Sequence, residues 1–248
     1  MQKEFYDDMY RQEKDYWWYV GRRRLVLALL KHLLNLRKKS RKFLDVGCGT
    51  GVLMQDLSIY GESWGMDCSL IVLNYCRKRG NRFLKKADLE EKLPFKNDFF
   101  EVVTCLDVLE HIKNEKSALK ELFRIIKPGG LLVITVPAFP KLWTYWDEKN
   151  GHKRRYLLKE LKVKLRKEGF KVVKASYFNV SILIPVILVR WLKSFLGRQP
   201  KKMPTDFIDM PKIINSLLIV IANFERFFVL KTGLPVGLSI ICLARKND

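Results

Sequence analysis

The feature that most constrains the fold is a short apolar run that opens into a glycine-rich loop. Residues 42–46 read KFLDV, which is typical of a short buried strand. They are followed by GCGTG at Gly47–Gly51 and then by a helical pattern. Glycines at this place permit a tight turn from strand to helix and let a ligand approach the backbone closely. The sequence therefore predicts a strand, a candidate ligand-binding turn and a helix, in that order.

Apolar runs and amphipathic runs alternate downstream of this loop. Such alternation predicts a Rossmann-like, mostly parallel sheet with helices on both faces. The other predicted strands lie at residues 63–67, 82–88, 99–107, 131–137, 170–178 and 237–246. Together with the first strand they make a seven-stranded α/β fold. A helix ending at Pro128–Gly130 is predicted before the strand at 131–137.

Between the last two predicted strands lies an excursion of roughly sixty residues, whereas connections usually span about 4–6. We interpret residues 179–235 as a hydrophobic helical insertion for membrane or substrate contact. Residues 1–40 are predicted to form N-terminal lid helices. Residues 41–178 and 236–248 form the core of one domain, which suits a chain of 248 residues.

The charge balance of the chain is strongly basic. Lys and Arg number 47 against 26 Asp and Glu, a formal net charge of +21. Such a field attracts RNA, an anionic membrane surface or phosphorylated small molecules, and charge alone does not choose among them. The 5 cysteines form no CxxC pair, and no secretory signal is apparent. Both observations favour a reducing, cytoplasmic setting.

In an open α/β sheet, ligands bind beyond the carboxyl ends of the strands. The second predicted strand ends at Asp67, about twenty residues after the glycine loop, where a carboxylate can accept hydrogen bonds from both hydroxyls of a ribose. A glycine loop by itself is weak evidence, because a structural turn has the same composition. The loop followed by a strand-terminal acid at this spacing indicates a nucleoside-containing ligand.

The order and spacing of five segments resemble the class I S-adenosylmethionine-dependent methyltransferases. Around the fourth strand the chain is similar to the small-molecule O-methyltransferases of quinone biosynthesis. The segments are LDVGCGTG (44–51), GMDCS (65–69), ADLEEKLPF (87–95), FEVVTCLDVLEHI (100–112) and RIIKPGGLLVITVP (124–137). They cover roughly residues 41–137.

This resemblance implies S-adenosylmethionine as cofactor and S-adenosylhomocysteine as product. The methionine part would lie beside the glycine loop and Asp45, although Asp45 could instead order the loop. Asp67 would bind the ribose and Asp88 the adenine amino group, while Leu106 and Asp107 close over the cofactor. The implied cofactor-binding residues are Asp45, Gly47, Cys48, Gly49, Gly51, Asp67, Cys68, Asp88, Leu89 and Leu106.

Methyl transfer is a displacement at carbon, so the protein mainly has to hold the acceptor in line, and a base is needed only for a protonated nucleophile. Asp107, Glu110 and His111 have the spacing seen in the O-methyltransferases that the segment resembles. His111 is a candidate base, or it braces the following helix. Asp, Glu and His would also suit a divalent metal. We predict catalytic roles for Asp107, His111 and His152 and assign no metal.

A second polar cluster, WDEKNGHKRRY, follows the fifth strand at residues 146–156. Its His and Arg side chains could grip a phosphate or carboxylate of the acceptor, or the segment is simply an exposed basic loop. The N-terminal DYWWYVGRRR (15–24) precedes a helix and is interpreted as a lid with inward tryptophans, or as plain packing. The predicted acceptor-binding residues are Trp17, Trp18, Arg22, Trp143, Trp146, Arg154, Arg155 and Tyr156.

Two oily stretches lie in the insertion, SILIPVILVRWLKSF at 181–195 and IINSLLIVIANFERFFVL at 213–230. Neither is predicted to span a membrane, because spans need about 20 apolar residues and a mid-bilayer Arg or Glu is costly. Both suit helices that lie on or dip into an anionic membrane surface. Simple burial against the domain is the alternative.

The sequence thus predicts a methyltransferase that acts, at oxygen, on a hydrophobic or lipid-linked small molecule. It would be cytoplasmic and peripherally bound to the inner face of the membrane. The alternatives are an RNA methyltransferase, favoured by the net charge of +21, and a non-catalytic cofactor-binding partner subunit. Nucleic acid is not expected as the acceptor, because no separate RNA-binding module is visible and the oily insertion would have no role.

Overall fold

The computed structural model describes residues 3–34, 41–185, 188 and 210–247. Seven strands form one sheet in the order β3-β2-β1-β4-β5-β7-β6, and β7 is antiparallel to both of its neighbours. This confirms the predicted seven-stranded, mostly parallel α/β fold. The strands are β1 (Arg41–Val46), β2 (Gly61–Asp67), β3 (Phe83–Lys86), β4 (Phe100–Leu106), β5 (Ile126–Pro137), β6 (Phe170–Phe178) and β7 (Ser239–Lys246).

Helices cover both faces of the sheet. They are α1 (Lys3–Gln12), α2 (Trp17–Leu33), α3 (Val52–Ser58), α4 (Leu70–Lys78), α5 (Glu115–Ile125), α6 (Tyr145–Lys149), α7 (Leu158–Lys167) and α8 (Lys212–Lys231). Apolar side chains of α5 and α7 pack on one face, where Leu122 and Leu165 are buried. Residues of α2, α3 and α8 pack on the other, represented by Leu30, Leu57 and Val229. Burial on both faces explains the uniformly apolar central strands.

The fifth strand begins earlier than the sequence predicts. Helix α5 ends at Ile125, and β5 starts at Ile126 and runs through Lys127–Gly130. The pairing between β4 and β5 shifts in register at this point, and Gly129 has a φ of 73°. A proline and two glycines therefore form an irregularity inside the strand instead of a connection before it, which is a recognised use of glycine in sheets.

The N-terminal region also differs from the prediction. Helices α1 and α2 both lie in the range predicted to form lid helices, but α2 begins at Trp17, before the arginines instead of after them. The reason is tertiary: the side-chain oxygen of Asn215 in α8 accepts a hydrogen bond from the Trp17 backbone N–H at 2.8 Å. This satisfies an N–H group at a helix start that has no local side-chain cap.

Helix α8 turns its polar side chains inward and its apolar side chains outward. Asn215 binds the start of α2, and Glu225 accepts hydrogen bonds from the backbone N–H groups of Val180 and Ser181 at 3.0 and 2.7 Å. Gly21 allows α2 to approach closely, because a Cβ there would be 3.0 Å from that of Ala222. One face of α8 therefore packs on the domain, where Val229 is buried, while the opposite face is exposed. The predicted membrane contact of this segment stays a prediction.

In the described part of the chain, α8 is the one helix whose length and composition would allow it to cross a membrane, and only 6% of its most apolar window is buried. Five of its large apolar side chains, at positions 213, 217, 220, 224 and 227, are more than half exposed. The oily stretch predicted at 181–195 lies mainly outside the described residues, which include only 181–185 and 188 of it. Its predicted membrane contact therefore stays a prediction.

Candidate active site

The carboxyl ends of β2, β1 and β4 meet at one edge of the sheet. These three strands are parallel neighbours, so that Val46 pairs with Met66 on one side and with Cys105 on the other. The residues that follow each strand are consequently brought together, as expected for an α/β sheet. They include the glycine loop, the acid at the end of β2 and the Leu106–Asp107 pair.

The glycine loop has the backbone geometry that its sequence requires. Gly47, Gly49 and Gly51 have φ values of 66°, 53° and 86°, a region that other residues rarely adopt. A side chain at Gly47 would also clash with Val108. The Cys48 thiol points beneath the loop, 3.7 Å from the Cys76 sulfur, so only the backbone of Cys48 faces the ligand side. The loop thus presents its main chain to a ligand.

Asp45 braces the strands below this loop. The Thr104 hydroxyl of β4 donates to Asp45 Oδ1 at 2.6 Å, and the carboxyl is almost fully buried. Burial raises the pKa of Asp45 to about 7. These contacts favour a role in ordering the loop, and they leave open a further contact with the ligand.

Asp67 and Asp88 lie on neighbouring segments. Oδ1 of Asp67 accepts a hydrogen bond from the Ser69 N–H at 2.8 Å, and partial burial raises the pKa of Asp67 to about 6. The Ala87 N–H donates to the Asp67 carbonyl at 3.2 Å, which places Asp88 next along the same edge. Cys68 is exposed, whereas Leu89 is buried in the main core beneath the edge.

A cavity of about 440 Å³ opens beside this edge. The beginning of α2 supplies aromatic walls, and the segment after β4 supplies polar groups. Among the lining residues are Phe5, Tyr16, Trp17, Trp18, Tyr19, Arg22, Leu106, Asp107, Glu110, His111, His152 and Arg155. The cavity therefore joins the three predicted catalytic residues to an aromatic pocket. Of the eight predicted acceptor-binding residues, Trp17, Trp18, Arg22 and Arg155 line it.

Arg22 and Asp107 form an ion pair in the cavity wall. The Thr135 hydroxyl donates to Asp107 Oδ1 at 3.0 Å, and the Asp107 backbone adopts a φ of 55°. A positive φ at a non-glycine residue is uncommon and marks a held conformation. The ion pair fastens lid helix α2 to the end of β4, and neither charge is free in this arrangement.

The surroundings of His111 and Glu110 disfavour the charged form of each side chain. Burial, and then the neighbouring His152 ring at 4.8 Å, lower the pKa of His111 to about 4. Burial and the adjacent Asp107 raise the pKa of Glu110 well above its ordinary value. Glu110 Oε2 and Trp17 Nε1 are buried without a hydrogen-bond partner. Unpaired buried polar atoms are costly, so both atoms are candidates to bind a polar group of a ligand.

Glu110, His111 and His152 each offer one donor atom, and these atoms all lie within 4.8 Å of one another. In the described ranges of the chain this is the one group of its kind. A divalent cation with nitrogen and oxygen ligands would suit it if Glu110 were ionised. Asp107, which the sequence grouped with Glu110 and His111, belongs instead to the ion pair with Arg22.

Asp147 is a residue whose importance the sequence interpretation missed. It is 1% exposed and accepts hydrogen bonds from His152 Nδ1 at 2.9 Å and from Arg155 Nε at 2.7 Å. Burial alone would raise its pKa, but the bonds from His152 and Arg155 outweigh that effect and hold the pKa far below its usual range. The only available signal was the Thr144-x-x-Asp147 capping box.

The two arginines of the predicted grip on a phosphate or carboxylate each have an internal carboxylate partner, and the grip itself stays a prediction. The Arg155 guanidinium is bound by both oxygens of Asp147 and by the Ala138 carbonyl at 3.1 Å. Arg154 pairs with Glu115 and donates to the Lys113 carbonyl at 3.1 Å. Each cation already has an internal carboxylate partner, and His152 and Arg155 are the two of these side chains that line the cavity.

The other predicted acceptor-binding residues of this segment do not line the cavity. Tyr156 is 1% exposed, and its hydroxyl donates to Glu115 Oε2 at 2.8 Å. Trp143 donates to Glu148 at 3.3 Å, and the Lys149 ammonium lies 4.7 Å from the Trp146 ring centre. The loop turns back on itself and pairs Ala138 with Tyr156. Tyr156 is therefore directed into the core, and the two tryptophans lie toward the surface.

Replacing Tyr156 by Phe should lower the free energy of unfolding by about 1.5–3 kcal/mol, because a buried hydrogen bond to a carboxylate is lost. Urea denaturation measures the change. Tyr145→Phe, at an exposed position of the same segment, should change it by less than about 0.5 kcal/mol. Unchanged stability of Tyr156→Phe would contradict a structural role for this hydroxyl.

The His111 imidazole should titrate near pH 4. Its pKa is lowered, so the ring is neutral at higher pH and gains a proton only as the pH falls through about 4. NMR of histidine-labelled protein measures the midpoint. His152→Asn should move the midpoint upward, because an adjacent cationic ring is removed. A midpoint above pH 6 would contradict this environment.

The glycine loop, the acid at the end of β2 and the strand order together define the class I methyltransferase fold. Residues 18–175 match the model of the methyltransferase domain family. The chain belongs to this family. Several solved structures with the same fold are S-adenosylmethionine-dependent methyltransferases, and S-adenosylmethionine is the cofactor.

Two curated relatives show how far sequence similarity extends. A ubiquinone biosynthesis O-methyltransferase of Dechloromonas aromatica is 32% identical over 115 residues, which is 42% of this chain and 48% of the relative. The match therefore spans about half the length of that enzyme. An uncharacterized protein of Methanocaldococcus jannaschii is 28% identical over 226 residues, covering 78% of this chain and 86% of the relative.

Among solved structures, the chain is similar to one from a complex between the Haloferax volcanii Trm112 methyltransferase activator and a methyltransferase. The TM-score is 0.64, the identity is 17%, and 98% of each chain is covered. At this identity the likeness concerns the fold alone, and it confirms the architecture along nearly the whole chain.

The residues at the sheet edge fit S-adenosylmethionine. The left-handed glycines leave the loop backbone accessible. A Cβ on Gly49 would lie 3.5 Å from the Met9 sulfur, so the absence of a side chain at this position keeps space open. Asp67 keeps one carboxylate oxygen beyond its bond to Ser69, which suits a pair of ribose hydroxyls. The assignment of individual contacts to the cofactor stays a prediction from the resemblance.

Proposed function

We propose that this methyltransferase transfers the methyl group to an oxygen of a hydrophobic or lipid-linked small molecule at a membrane surface. The observation that carries the proposal is the position of the aromatic cavity beside the exposed apolar face of α8. Asn215 of α8 binds the backbone of Trp17 at 2.8 Å and that of Asp15 at 2.8 Å. Trp17 itself lines the cavity, so α8 is docked through Asn215 on a segment that forms part of the cavity wall.

The polar side chains at one end of the cavity support the proposal that the methyl group is accepted by a hydroxyl group, which has to lose its proton. When bound, S-adenosylmethionine supplies the methyl group, and the protein has to orient the acceptor and remove its proton. The neutral His111 ring can accept that proton, and His152, held by Asp147, lies against it. Trp17 Nε1 can donate to the acceptor, and the unpaired Oε2 of Glu110 can form a hydrogen bond that orients it.

The walls of the cavity support an apolar body on the acceptor. Tyr16, Trp17, Trp18 and Tyr19 lie along one side. Rigid aromatic side chains contribute large apolar contacts at low entropic cost. The partial similarity to an O-methyltransferase of ubiquinone biosynthesis supports the same kind of substrate, an aromatic hydroxyl attached to an oily group.

The outward face of α8 supports membrane contact. Leu217, Val220 and Phe224 are 56%, 62% and 66% exposed, although such side chains are normally buried. Lysines at both ends, Lys212 and Lys231, can meet anionic headgroups. A helix with polar residues docked on the domain and apolar residues outside is suited to lying in the interface of a bilayer.

The proposal is tested with radiolabelled S-adenosylmethionine, the purified protein and a lysate of its host. Label is counted in the organic extract, the nucleic-acid fraction and the protein fraction, with Asp67→Ala as the blank. Label in the organic extract that depends on the wild-type protein is the expected result. Label confined to the aqueous small-molecule or protein fraction would overturn the lipid acceptor.

The second candidate is an RNA methyltransferase, which the net charge of +21 favours. The same experiment separates the two, because ribonuclease would then destroy the labelled product. Binding to an RNA oligonucleotide and to anionic vesicles at equal ionic strength gives an independent comparison. Tighter binding to vesicles supports the lipid acceptor, and tighter binding to RNA supports the second candidate.

A further inference from the structure

Helix α1 and the turn after it lie directly on the glycine loop. Glu13 Oε1 and the Met9 sulfur are 3.3 and 3.5 Å from the position that a Cβ on Gly49 would occupy. Asp7 binds the Tyr75 hydroxyl of α4, and Arg79 donates to the Tyr10 carbonyl at 2.5 Å. These contacts hold α1 over the surface at which the loop meets a ligand.

Glu13 is an unusual residue to find there, because it is 7% exposed. Its Oε2 accepts a hydrogen bond from the Thr50 hydroxyl. Arg79 donates to that same hydroxyl at 3.0 and 3.2 Å, and not to the carboxylate. Within the described residues, no lysine or arginine forms an ion pair with Glu13. Burial accordingly raises its pKa.

Arg79, Arg22 and Arg23 lie near enough to lower the pKa of Glu13, but burial outweighs them. A buried carboxylate without a directly paired cation is costly, and a bound cation would offset that cost. S-adenosylmethionine and its product both carry an α-ammonium group at the amino-acid end. The resemblance places this end beside the glycine loop, where Glu13 Oε1 faces Gly49. Oε2 is occupied by Thr50, so Oε1 is the oxygen directed toward the loop surface.

We propose that Glu13 binds the α-ammonium group of the amino-acid part of S-adenosylmethionine, which makes α1 part of the cofactor site. This rests on the cofactor lying along the glycine loop and is independent of which acceptor is methylated. A charge-assisted hydrogen bond inside a closed site is among the stronger polar contacts in proteins. The N-terminal segment would then select a cofactor that carries the complete amino-acid end.

The test compares two ligands that differ at that end. S-adenosylhomocysteine carries the ammonium and carboxylate groups, whereas 5′-methylthioadenosine lacks both. Isothermal titration calorimetry of Glu13→Gln should show about 10- to 100-fold weaker binding of S-adenosylhomocysteine. Binding of 5′-methylthioadenosine should change by less than about twofold. The glutamine can still accept the Thr50 hydrogen bond, so the packing of α1 is retained.

Glu4→Gln is the matched control, because Glu4 is exposed on the same helix. It should leave both affinities unchanged. Equal weakening of both ligands by Glu13→Gln would show that Glu13 only fastens α1, and unchanged affinities would also overturn the proposal. Failure of the wild-type chain to bind either ligand would instead contradict the cofactor site as a whole. This calorimetric experiment contains no methyl acceptor, so its outcome does not depend on the proposed lipid acceptor, which is tested separately.

Discussion

Replacing Asp67 by Ala is expected to weaken binding of S-adenosylhomocysteine by about 100-fold or more. A carboxylate that accepts from two ribose hydroxyls makes two charge-assisted hydrogen bonds, each contributing about 1.5–3 kcal/mol. Asp67 lies at the end of β2, where one oxygen is held by the Ser69 N–H at 2.8 Å. Isothermal titration calorimetry measures the loss, and circular dichroism reports whether the sheet is intact.

The pH dependence of binding gives a second measure of the same residue. Partial burial raises the pKa of Asp67 to about 6, so the carboxylate is ionised mainly above that pH. Hydroxyl donors bind the ionised form better, so affinity should rise as the pH increases from 5 to 7. Asp67→Asn should reduce this dependence, and the part that remains would come from the other carboxyl groups of the site, Asp45 and Glu13. If the alanine variant bound the ligand as tightly as the wild type, Asp67 would not be the ribose-binding residue.

Placing three charges on the outer face of α8 is expected to reduce vesicle binding by about 100-fold or more. Leu217, Val220 and Phe224 are all more than half exposed, so Leu217→Glu, Val220→Glu and Phe224→Glu should not disturb the core. Each apolar side chain contributes about 1.5–3 kcal/mol when it is fully removed from water. Co-sedimentation with vesicles containing phosphatidylglycerol measures the partition coefficient.

A triple variant elsewhere controls for the added negative charge. Ile59, Ile71 and Val163 are 64%, 39% and 41% exposed and lie at the end of α3, on α4 and on α7, respectively. Changing them to Glu should reduce binding only modestly, through long-range electrostatics. Equal losses for the two variants would show that charge alone drives binding. A wild-type dimer that the α8 variant dissociates would identify a second copy of the chain as the occupant of this face.

The two predictions concern neighbouring parts of one molecule. Asn215 connects α8 to the start of α2, and α2 in turn reaches the site through the Arg22–Asp107 ion pair. A membrane-bound α8 would therefore hold the aromatic mouth of the cavity against the lipid surface. An oily acceptor could reach the site without its apolar part crossing water, which avoids the cost of hydrating it.

Several features of the fold and site were predictable from sequence because they depend on local pattern. Buried parallel strands are apolar along their whole length, and the turn after β1 requires glycines at left-handed positions. Strand order then places Asp67 and Asp107 at one edge. The structure of these residues depends on neighbours only a few positions away in the sequence. The predicted fold, family and cofactor were accordingly confirmed.

The placement of individual side chains depended on contacts between distant segments. Arg154 and Tyr156 meet Glu115, and Asn215 meets Trp17 from 198 residues away along the chain. No local pattern records such a partner, so the arginines were predicted to be free for a ligand when each already had a carboxylate.

The sequence by itself determined that the chain is a methyltransferase, because the glycine loop and the strand pattern are set by local backbone and burial requirements. Only the tertiary structure decided which way α8 faces and that α1 covers the glycine loop. The hydrophobic pattern of α8 fits burial and exposure equally well. Its two inward polar residues, Asn215 and Glu225, settle the orientation, because their hydrogen-bond partners lie on α2 and at the end of β6.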